Sequence, residues 1–347
     1  MLQFREFLKS GHAPTLWSSF LYFGFSCAVW VINGAMAPFI RDAFQLTPTQ
    51  MGMMLSIPIF AGALMRFPLG ILAQYIGRKN ATLVEMAGIF VAMGYGYLFV
   101  HSYNDLLAMG ILLGVAGASF GVALSLGSGS FPPRYKGLAM GIVGAGNVGT
   151  AVAALLAPML APMLAQKFGW QAVYGFAAVS VAIPALVMAV YAKEPPDLAP
   201  HASFREHIAC LFEKDGWAFS LIYAVTFGGF IGLTTFLPSY FYDQFGVSKV
   251  AAGQLTMMAA FLGAALRVFG GWLSDHWGGV NTLTGVLAIT AASMVLCGLA
   301  EKSLPVTMLL FLVCFAALGA GNGALFQLVP LRWPLATAVA GSMIGEI

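Results

Sequence analysis

The 347 residues carry a formal net charge of +3, and 60% of them are apolar whereas only 8% are charged, with a mean hydropathy of +0.86. Soluble domains average roughly 45–50% apolar and about 25% charged residues, so this composition excludes a soluble globular domain. The small positive charge forms no basic patch, and we expect no nucleic-acid partner.

Apolar segments long enough to cross a lipid bilayer recur along the whole chain. A hydrocarbon core of about 30 Å takes about 20 helical residues at about 1.5 Å of rise each. Ten spans are predicted and an eleventh begins near residue 335, so we expect the chain to end inside it and to lack a twelfth helix. The ten spans are 16–38, 50–74, 82–101, 105–130, 137–163, 170–192, 216–240, 250–274, 281–300 and 304–330. The sequence therefore predicts an all-α polytopic membrane protein.

The distribution of lysine and arginine predicts which way the helices run. With the N-terminus in the cytoplasm, ten of the sixteen Lys and Arg residues fall in cytoplasmic segments and four fall outside. Cytoplasmic loops of membrane proteins carry such an excess. The remaining two, Arg66 and Arg267, lie within predicted spans. The first span is too long for a signal peptide, so we expect it to stay as the first helix.

One long polar stretch, residues 194–215, divides the chain. It separates an N-terminal six-helix bundle at 1–193 from an incomplete C-terminal bundle at 216–347, and we expect it to be a cytoplasmic loop. No other stretch of comparable length is as polar. The prediction is two helical domains joined by one linker.

The two sides of this linker resemble each other. Without gaps, GALMRFPLGILAQYIG (62–77) aligns with GAALRVFGGWLSDHWG (263–278) at an offset of 201, which places Arg66 over Arg267. Two repeats of this kind, each of six helices when complete, resemble the architecture of the major facilitator superfamily. The fold expected from this resemblance has two pseudo-symmetric halves.

The two arginines within spans need a physical reason. A charge near the bilayer centre costs at least about 2.5–3.5 kcal/mol on insertion scales and usually marks a substrate or ion pathway. Arg66 lies roughly 12 Å from the inner end of its span, too far for its side chain to reach water easily. A salt bridge is the alternative, but Glu85 is the acid clearly placed within a span, and one acid cannot neutralise two arginines. The planar guanidinium suits small planar oxyanions such as carboxylate or nitrate.

Three glycines in GAGNVG match the dinucleotide-binding spacing. Gly144, Gly146 and Gly149 nevertheless lie in an apolar helical stretch, with no preceding strand and no acidic residue about 20 positions later. Close helix packing explains such glycines, and Asn147 among them offers two amide donors to an anion. We expect no nucleotide, no other cofactor, no metal site and no catalytic centre, so the chain is not predicted to be an enzyme.

At this point the motifs resemble a known family. FPPRYKGLAMGIVGAGNVGT (131–150) resembles the nitrate signature of the nitrate/nitrite porter family of the major facilitator superfamily, and AGALMRFPLG and LGAALRVFGGWLSD resemble its two arginine helices. GAGNGALFQLVPLRWP (319–334) is similar to the assimilatory bacterial branch. The resemblance implies a secondary transporter of nitrate, nitrite or both in the bacterial inner membrane. Such a transporter is expected to work by alternating access and to hold the anion between Arg66 and Arg267.

The resemblance extends to further residues. An aromatic from the fourth helix corresponds to Phe120, and a Tyr and Phe four apart in the seventh helix correspond to Tyr223 and Phe227, which this spacing places on one helix face. Asn147 is expected to be a further ligand, and Asn322 is a polar candidate in helix ten. The signature glycines are Gly141, Gly144, Gly146, Gly149, Gly319, Gly321 and Gly323. The second nitrate signature would follow at AGSMIGEI, where the sequence ends.

Two short loops resemble the gating motif of the superfamily. In the first half the matching residues are Gly70, Gly77 and Arg78, although Gln74 stands where an Asp is usual; in the second half Asp275 keeps the acidic position. These residues are expected to close one face of the transporter.

The sequence leaves the coupling of transport open. Nitrate entering against a negative-inside potential needs protons or a counter-anion, yet the predicted spans contain few acids, and all five histidines fall in loops or at span ends. Nitrate/nitrite exchange and proton symport both remain, as does the preference between the two anions. A phosphate or organic-anion exchanger on the same fold and a nontransporting membrane sensor are the alternative functions. We expect a monomer in the lipid bilayer.

Overall fold

The structure is a computed structural model that describes residues 2–196, 212–299, 303–333 and 344–345. All regular structure within these residues is helical, and nine helices there are long and apolar enough to cross a membrane. The predicted all-α membrane fold is confirmed. The helices are α1 (Leu2–Lys9), α2 (Ala13–Trp30), α3 (Ile32–Ala35), α4 (Ala37–Phe44), α5 (Pro48–Ile76), α6 (Arg78–Leu98), α7 (Tyr103–Gly117), α8 (Ser119–Ser128), α9 (Pro133–Gly144), α10 (Gly149–Phe168), α11 (Ala172–Tyr191), α12 (Lys214–Tyr223), α13 (Gly229–Phe245), α14 (Lys249–Trp277), α15 (Gly279–Leu299) and α16 (Leu304–Arg332).

The first predicted span differs from the structure. Residues 16–38 do not form one rod, because α2 ends at Trp30 and the chain continues through α3 and α4. Pro38 cannot donate the backbone hydrogen bond that would continue a helix through this point, and Asn33 and Gly34 are poor helix formers. The other nine spans agree with the structure to within about five residues at each end, and the eleventh, from 335, falls almost wholly outside the described residues.

The internal repeat is confirmed by the helices themselves. Both α5 and α14 have 29 residues, and both α6 and α15 have 21; each second-half helix starts 201 residues after its counterpart (249 − 48 and 279 − 78). The glycines between the paired helices, Gly77 and Gly278, have φ values of +87° and +83°. L side chains rarely adopt this backbone conformation, so the same turn needs glycine in both halves.

Local signals set where the long helices begin. Thr47 and Gln50 form a capping box at the start of α5, with Pro48 at its first position. Ser102 and Asp105 form the equivalent box for α7, and the Ser248 hydroxyl caps α14. These side chains bind backbone N–H groups that have no partner inside the helix, which stops each helix from fraying at the membrane surface.

Three interruptions lie within the long membrane helices. A break at Ala118 separates α7 from α8, a 3-10 segment at Ala145–Val148 separates α9 from α10, and a π-helical segment at Ala224–Gly228 separates α12 from α13. Segments of this kind often occur at functional sites, because they redirect side chains and backbone groups. Hydropathy does not reveal them, because the helices remain predominantly apolar on both sides of each interruption.

The chain divides into two compact units. The first comprises Met1–Asn33, Phe39–Gly149 and Met159–His201, and the second comprises Gly34–Pro38, Thr150–Pro158 and Ala202–Ile347.

Repeat-related helices pack with their backbones in contact in each unit. In the first unit a Cβ added at Gly114 of α7 would overlap Ala61 of α5. In the second unit a Cβ at Gly319 or Gly323 of α16 would overlap the carbonyl oxygens of Gly263 or Arg267 in α14. Such contact is how small residues hold transmembrane helices together, and here it fixes the two helices that carry the buried arginines.

Candidate anion-binding site

Arg66 is buried within the first unit, with only 7% of the residue exposed. Its Nε donates a hydrogen bond to the carbonyl oxygen of Gly117 at 3.1 Å, and its Cζ lies 5.6 Å from the centroid of the Trp30 ring. These contacts hold the guanidinium inside the helix bundle, so snorkelling to the membrane surface does not describe it. Gly117 is the last residue of α7, where carbonyl groups lack a partner in their own helix.

Trp30 reaches Arg66 because glycines leave room for the indole. A Cβ at Gly62 would lie 2.7 Å from the indole Nε1, and one at Gly117 would overlap the ring. The indole N–H donates to the carbonyl oxygen of Pro58 at 2.7 Å, which fixes its orientation. Arg66 therefore rests on a rigid aromatic surface built by three helices of one unit.

Glu85, the acid considered as a salt-bridge partner, has a different partner. Its carboxylate accepts a hydrogen bond from the hydroxyl of Tyr22, and the two side chains are buried together. Tyr22 is a partner that the sequence analysis did not identify, because α2 and α6 are far apart in the chain.

Phe120 and the 3-10 segment that contains Asn147 both contact Phe23 on α2. The ring of Phe120 is 5.5 Å from that of Phe23 on α2, and a Cβ at Gly146 would lie 2.9 Å from Phe23 Cδ1. Asn147 follows in the 3-10 segment and is fully buried. A Cβ at Gly149 would overlap the carbonyl oxygen of Gly24, so the segment lies directly against α2.

The signature glycines do not all have the same explanation. Gly146, Gly149, Gly319, Gly321 and Gly323 are each at a close approach between helices. Gly141 is an exception, because a Cβ there would meet nothing within 4 Å, and Gly144 is buried at the end of α9. Packing therefore does not account for Gly141.

Arg267 occupies the repeat-related position in the second unit and is 5% exposed. Its Cζ lies 5.8 Å from the centroid of the Phe326 ring. Phe326 also makes an edge contact with Tyr223 at 5.2 Å, and Tyr223 stacks on Phe227 at 5.1 Å with an angle of 8° between the planes. The structure thus brings Arg267, Tyr223 and Phe227 together through an aromatic residue that sequence reasoning missed.

The stack of Tyr223 and Phe227 agrees with their spacing, and Phe227 lies in the π-helical segment. Phe326 lies within a stretch already singled out for its glycines. In the sequence, Phe326 could have been selected only as an aromatic residue close to the signature glycines of α16, the helix that packs against the Arg267 helix α14. Only the contact between α14 and α16 shows which aromatic meets Arg267.

Asn322 is fully buried on α16. Neither its amide nitrogen nor its amide oxygen has a hydrogen-bond partner among the described residues. A Cβ at the preceding Gly321 would lie 2.6 Å from the Thr226 methyl group, and one at Gly323 would overlap the Arg267 carbonyl oxygen. Asn322 therefore lies between the π-helical segment and the arginine helix.

The first gating loop is held by an acid that the sequence analysis did not select. Glu194 accepts hydrogen bonds from the backbone N–H groups of Arg78 and Lys79 at 3.0 and 2.8 Å, and from Arg78 Nε at 3.2 Å. Arg78 Nη1 also donates to the carbonyl oxygen of Ser125 at 3.1 Å. Glu194 thus caps α6 at its positive end and ties the loop to two other helices.

The remaining gating residues lie on the two arginine helices. Gly70 is part of α5, and Asp275 is an exposed residue near the end of α14. Gly77 supplies the positive φ between α5 and α6.

Comparison with known proteins identifies the family. Residues 18–345 match the model of the Major Facilitator Superfamily. The chain is 31% identical over 341 residues to a probable nitrate transporter, NarT, from Staphylococcus haemolyticus, covering 97% of this chain and 85% of the relative. It is also 31% identical to a probable nitrate/nitrite antiporter, NarK1, from Thermus thermophilus, covering 96% and 81%. A nitrite extrusion protein from Bacillus subtilis is 28% identical and is covered to 79%.

Solved structures share the fold at lower sequence identity. A bacterial homologue of the human lysosomal transporter Spinster superposes with a TM-score of 0.70 at 20% identity, covering 95% of this chain and 78% of that one. A D-xylose-proton symporter gives a TM-score of 0.68 at 15% identity, covering 96% and 86%. The repeat, the two arginine helices and these relatives lead to one conclusion: the chain belongs to the nitrate/nitrite porter family of the major facilitator superfamily.

Proposed function

We propose that this protein moves nitrate, nitrite or both across the membrane by alternating access, with the anion held by the guanidinium groups of Arg66 and Arg267. The observation that carries the proposal is the same in each unit: a repeat-related arginine within a membrane helix is more than nine-tenths buried and lies against an aromatic ring. The names of the similar proteins from Staphylococcus haemolyticus and Thermus thermophilus support nitrate as the anion.

The chemistry of the site favours a small flat oxyanion. A guanidinium presents parallel N–H donors that match two oxygens of a planar anion, and it keeps its charge when buried. An anion that pairs with both arginines offsets the cost of burying their charge in the bilayer. Phe120 and Phe227 supply aromatic surfaces against which a flat ion can lie.

Additional donors complete the proposed site. The amides of Asn147 and Asn322 and the hydroxyl of Tyr223 are buried in the same units as the arginines. Each can donate to an oxygen that the guanidiniums do not reach. Loss of any one donor should weaken binding without abolishing it.

The proposal also covers the domain movement, the membrane topology, the oligomeric state and the driving ions. Bundles 1–193 and 216–347 alternate around the bound anion, joined by the cytoplasmic loop 194–215, with the N-terminus in the cytoplasm of a bacterial inner membrane. The protein acts as a monomer without a cofactor, and protons or a counter-anion drive it. Gly70, Gly77, Arg78 and Asp275 belong to the loops that close one face.

The test is uptake of labelled nitrate by the purified chain in liposomes. Uptake is measured with nitrite inside, and separately with an inward proton gradient. We expect saturable uptake in at least one condition, competed by unlabelled nitrate or nitrite and not by phosphate. Competition by phosphate as strong as that by nitrate, or no uptake by folded protein in either condition, would contradict the proposal.

A further inference from the structure

Glu85 is a buried acid that the anion site does not use. Only 2% of the residue is exposed, and the hydroxyl of Tyr22 donates a hydrogen bond to its Oε2. The other carboxylate oxygen, Oε1, has no hydrogen-bond partner among the described residues. Ala81, one turn earlier on α6, packs in an apolar cluster with Leu69, Ala73, Ala118 and Val122.

The free energy of the ionised form of Glu85 depends on the charges and hydrogen-bond partners around its carboxyl group. Within the described part of the chain, no lysine, arginine or histidine forms a salt bridge with Glu85. An ionised carboxylate in an apolar environment is costly unless it is paired and hydrogen-bonded. A change in charge elsewhere in the unit therefore alters the balance between the protonated and ionised forms.

Glu85 and Arg66 approach the same stretch of α7. A Cβ at Gly88, one turn after Glu85, would lie 3.1 Å from Val115 Cγ1 on α7. Arg66 donates to the carbonyl oxygen of Gly117, two residues further along that helix. Glu85 also lies only about 10 Å along α6 from its first residue, which keeps the path for a proton short.

Few other ionisable groups lie on the helices packed against α6. They are Tyr22 and Cys27 on α2, Arg66 and Tyr75 on α5, and Tyr174 and Tyr191 on α11, whereas α7 beyond Asp105 and all of α8 carry none. On α6 itself, Arg78 and Lys79 lie about two turns before Glu85. Arg66 is the permanent charge among the groups on the neighbouring helices. A change of charge at Arg66, when an anion binds there, therefore acts on the ionisation of Glu85.

We propose that Glu85 carries the proton that accompanies nitrate, so that the protein is a nitrate/proton symporter. The inference rests on the proposed function and deepens it. On one side of the membrane a proton forms an O–H bond with a carboxylate oxygen of Glu85, which changes from charge −1 to neutral. On the other side that bond breaks and the proton leaves as the nitrate leaves. One carboxyl group carries one proton, so each cycle moves no net charge.

The coupling follows from electrostatics. Ionised Glu85 opposes a second negative charge at Arg66, and protonation removes this opposition, so the protonated protein binds nitrate more tightly. By thermodynamic reciprocity, bound nitrate raises the proton affinity of Glu85 to the same extent. Empty protein then releases its proton readily, which lets the cycle restart.

The experiment compares the wild type with Glu85→Gln in liposomes. One assay follows exchange of labelled for unlabelled nitrate at equal pH, which needs no net proton movement. The other follows uptake driven by an inward proton gradient with the membrane potential clamped at zero. We expect Glu85→Gln to exchange nitrate within about twofold of the wild-type rate, because glutamine keeps the shape and accepts the Tyr22 hydrogen bond. Its gradient-driven uptake should be at least tenfold slower than that of the wild type.

The outcomes separate this inference from the proposed function. Gradient-driven uptake that persists in Glu85→Gln would overturn the inference, as would a wild type that exchanges nitrate but ignores the proton gradient; the proposed function would survive both. A wild type that moves no nitrate would overturn the proposed function and the inference with it.

A second variant keeps the test decisive if Glu85→Gln does not fold. Tyr22→Phe removes the donor to the ionised carboxylate, so the pH at which uptake is half-maximal should shift upward. An unchanged pH profile in Tyr22→Phe would show that the pair is only structural and would overturn the inference.

Discussion

Asn322 is a buried residue whose amide nitrogen and oxygen have no hydrogen-bond partner among the described residues, which packing alone does not explain. An unpaired buried amide costs about 1–3 kcal/mol, so a residue kept only for packing would be apolar. Asn322→Leu replaces the amide with a side chain of similar branching. We expect nitrate affinity to fall at least tenfold while the unfolding temperature in detergent does not fall. Equilibrium binding and thermal unfolding of the same sample measure both.

Asn33 provides the matched control for this prediction. It is also buried, and its Nδ2 has no hydrogen-bond partner among the described residues, but its Oδ1 accepts a hydrogen bond from the Tyr174 hydroxyl at 2.9 Å, whereas neither polar atom of Asn322 has a partner there. Asn33→Leu should therefore lower the unfolding temperature and leave nitrate affinity within about twofold. The opposite pattern, with a destabilised Asn322→Leu of normal affinity, would assign Asn322 a structural role.

Phe326 gives a second prediction, because its ring supports Arg267. A cation over an aromatic face is worth about 0.5–2 kcal/mol, which corresponds to a loss of about 2- to 30-fold in nitrate affinity when the ring is removed in Phe326→Leu. Phe315→Leu, on the same helix, removes a ring that contacts Phe230 instead. Binding isotherms that are equally weakened in both variants would contradict a specific role for Phe326.

Single residues could be predicted from the sequence where their residue type is unusual for the surrounding segment. Arg66 and Arg267 stand out because a charge interrupts an apolar span, and the amide of Asn147 stands out among glycines. Trp30, Phe326 and Glu194 do not break such a rule, since aromatic residues are common in spans and acids are common in loops. Their contacts join residues far apart in the chain, so only the packing of helices reveals them.

At the scale of helices, the sequence predicted the membrane-spanning helices but missed the points where they are interrupted. Apolar length locates nine membrane helices among the described residues, and Thr47 or Ser102 mark where they begin. The breaks at Ala118, Ala145–Val148 and Ala224–Gly228 depend on backbone hydrogen bonding, which hydropathy does not report. The same limit explains why the first span was predicted as one rod.

The glycines of the 3-10 region give a prediction about helix packing. A Cβ at Gly149 would overlap the backbone of Gly24, whereas one at Gly141 would meet nothing within 4 Å. We expect Gly149→Ala to lower the unfolding temperature sharply and to abolish nitrate uptake, because α2 must move away. Gly141→Ala should not be destabilised, since alanine favours a helix by up to about 1 kcal/mol.

Thermal unfolding in detergent and liposome uptake distinguish the two substitutions. Equal destabilisation would contradict the packing described for Gly149. A stable Gly141→Ala that no longer transports nitrate would instead give Gly141 a role in the movement of α9, which the helix contacts do not suggest.

At the scale of the whole molecule, the repeat was the strongest prediction. The offset of 201 residues found by aligning two arginine segments also relates α5 to α14 in start, length and closing glycine, and α6 to α15 in start and length. Duplication explains this success, because an alignment of the chain with itself needs no knowledge of packing. The proposed proton carrier was not predictable in this way, since Glu85 has no acidic counterpart at the same offset: position 286 is Val.

The central claim is that both buried guanidiniums bind the anion, and conservative substitution tests it most directly. Labelled nitrate uptake into liposomes is measured for Arg66→Lys and Arg267→Lys, with Arg134→Lys as an exposed control on α9. Lysine keeps the charge but loses the planar pair of donors, so each buried variant should lose at least tenfold of the uptake while the control stays within about twofold. Near-normal uptake by either Arg66→Lys or Arg267→Lys would contradict the account.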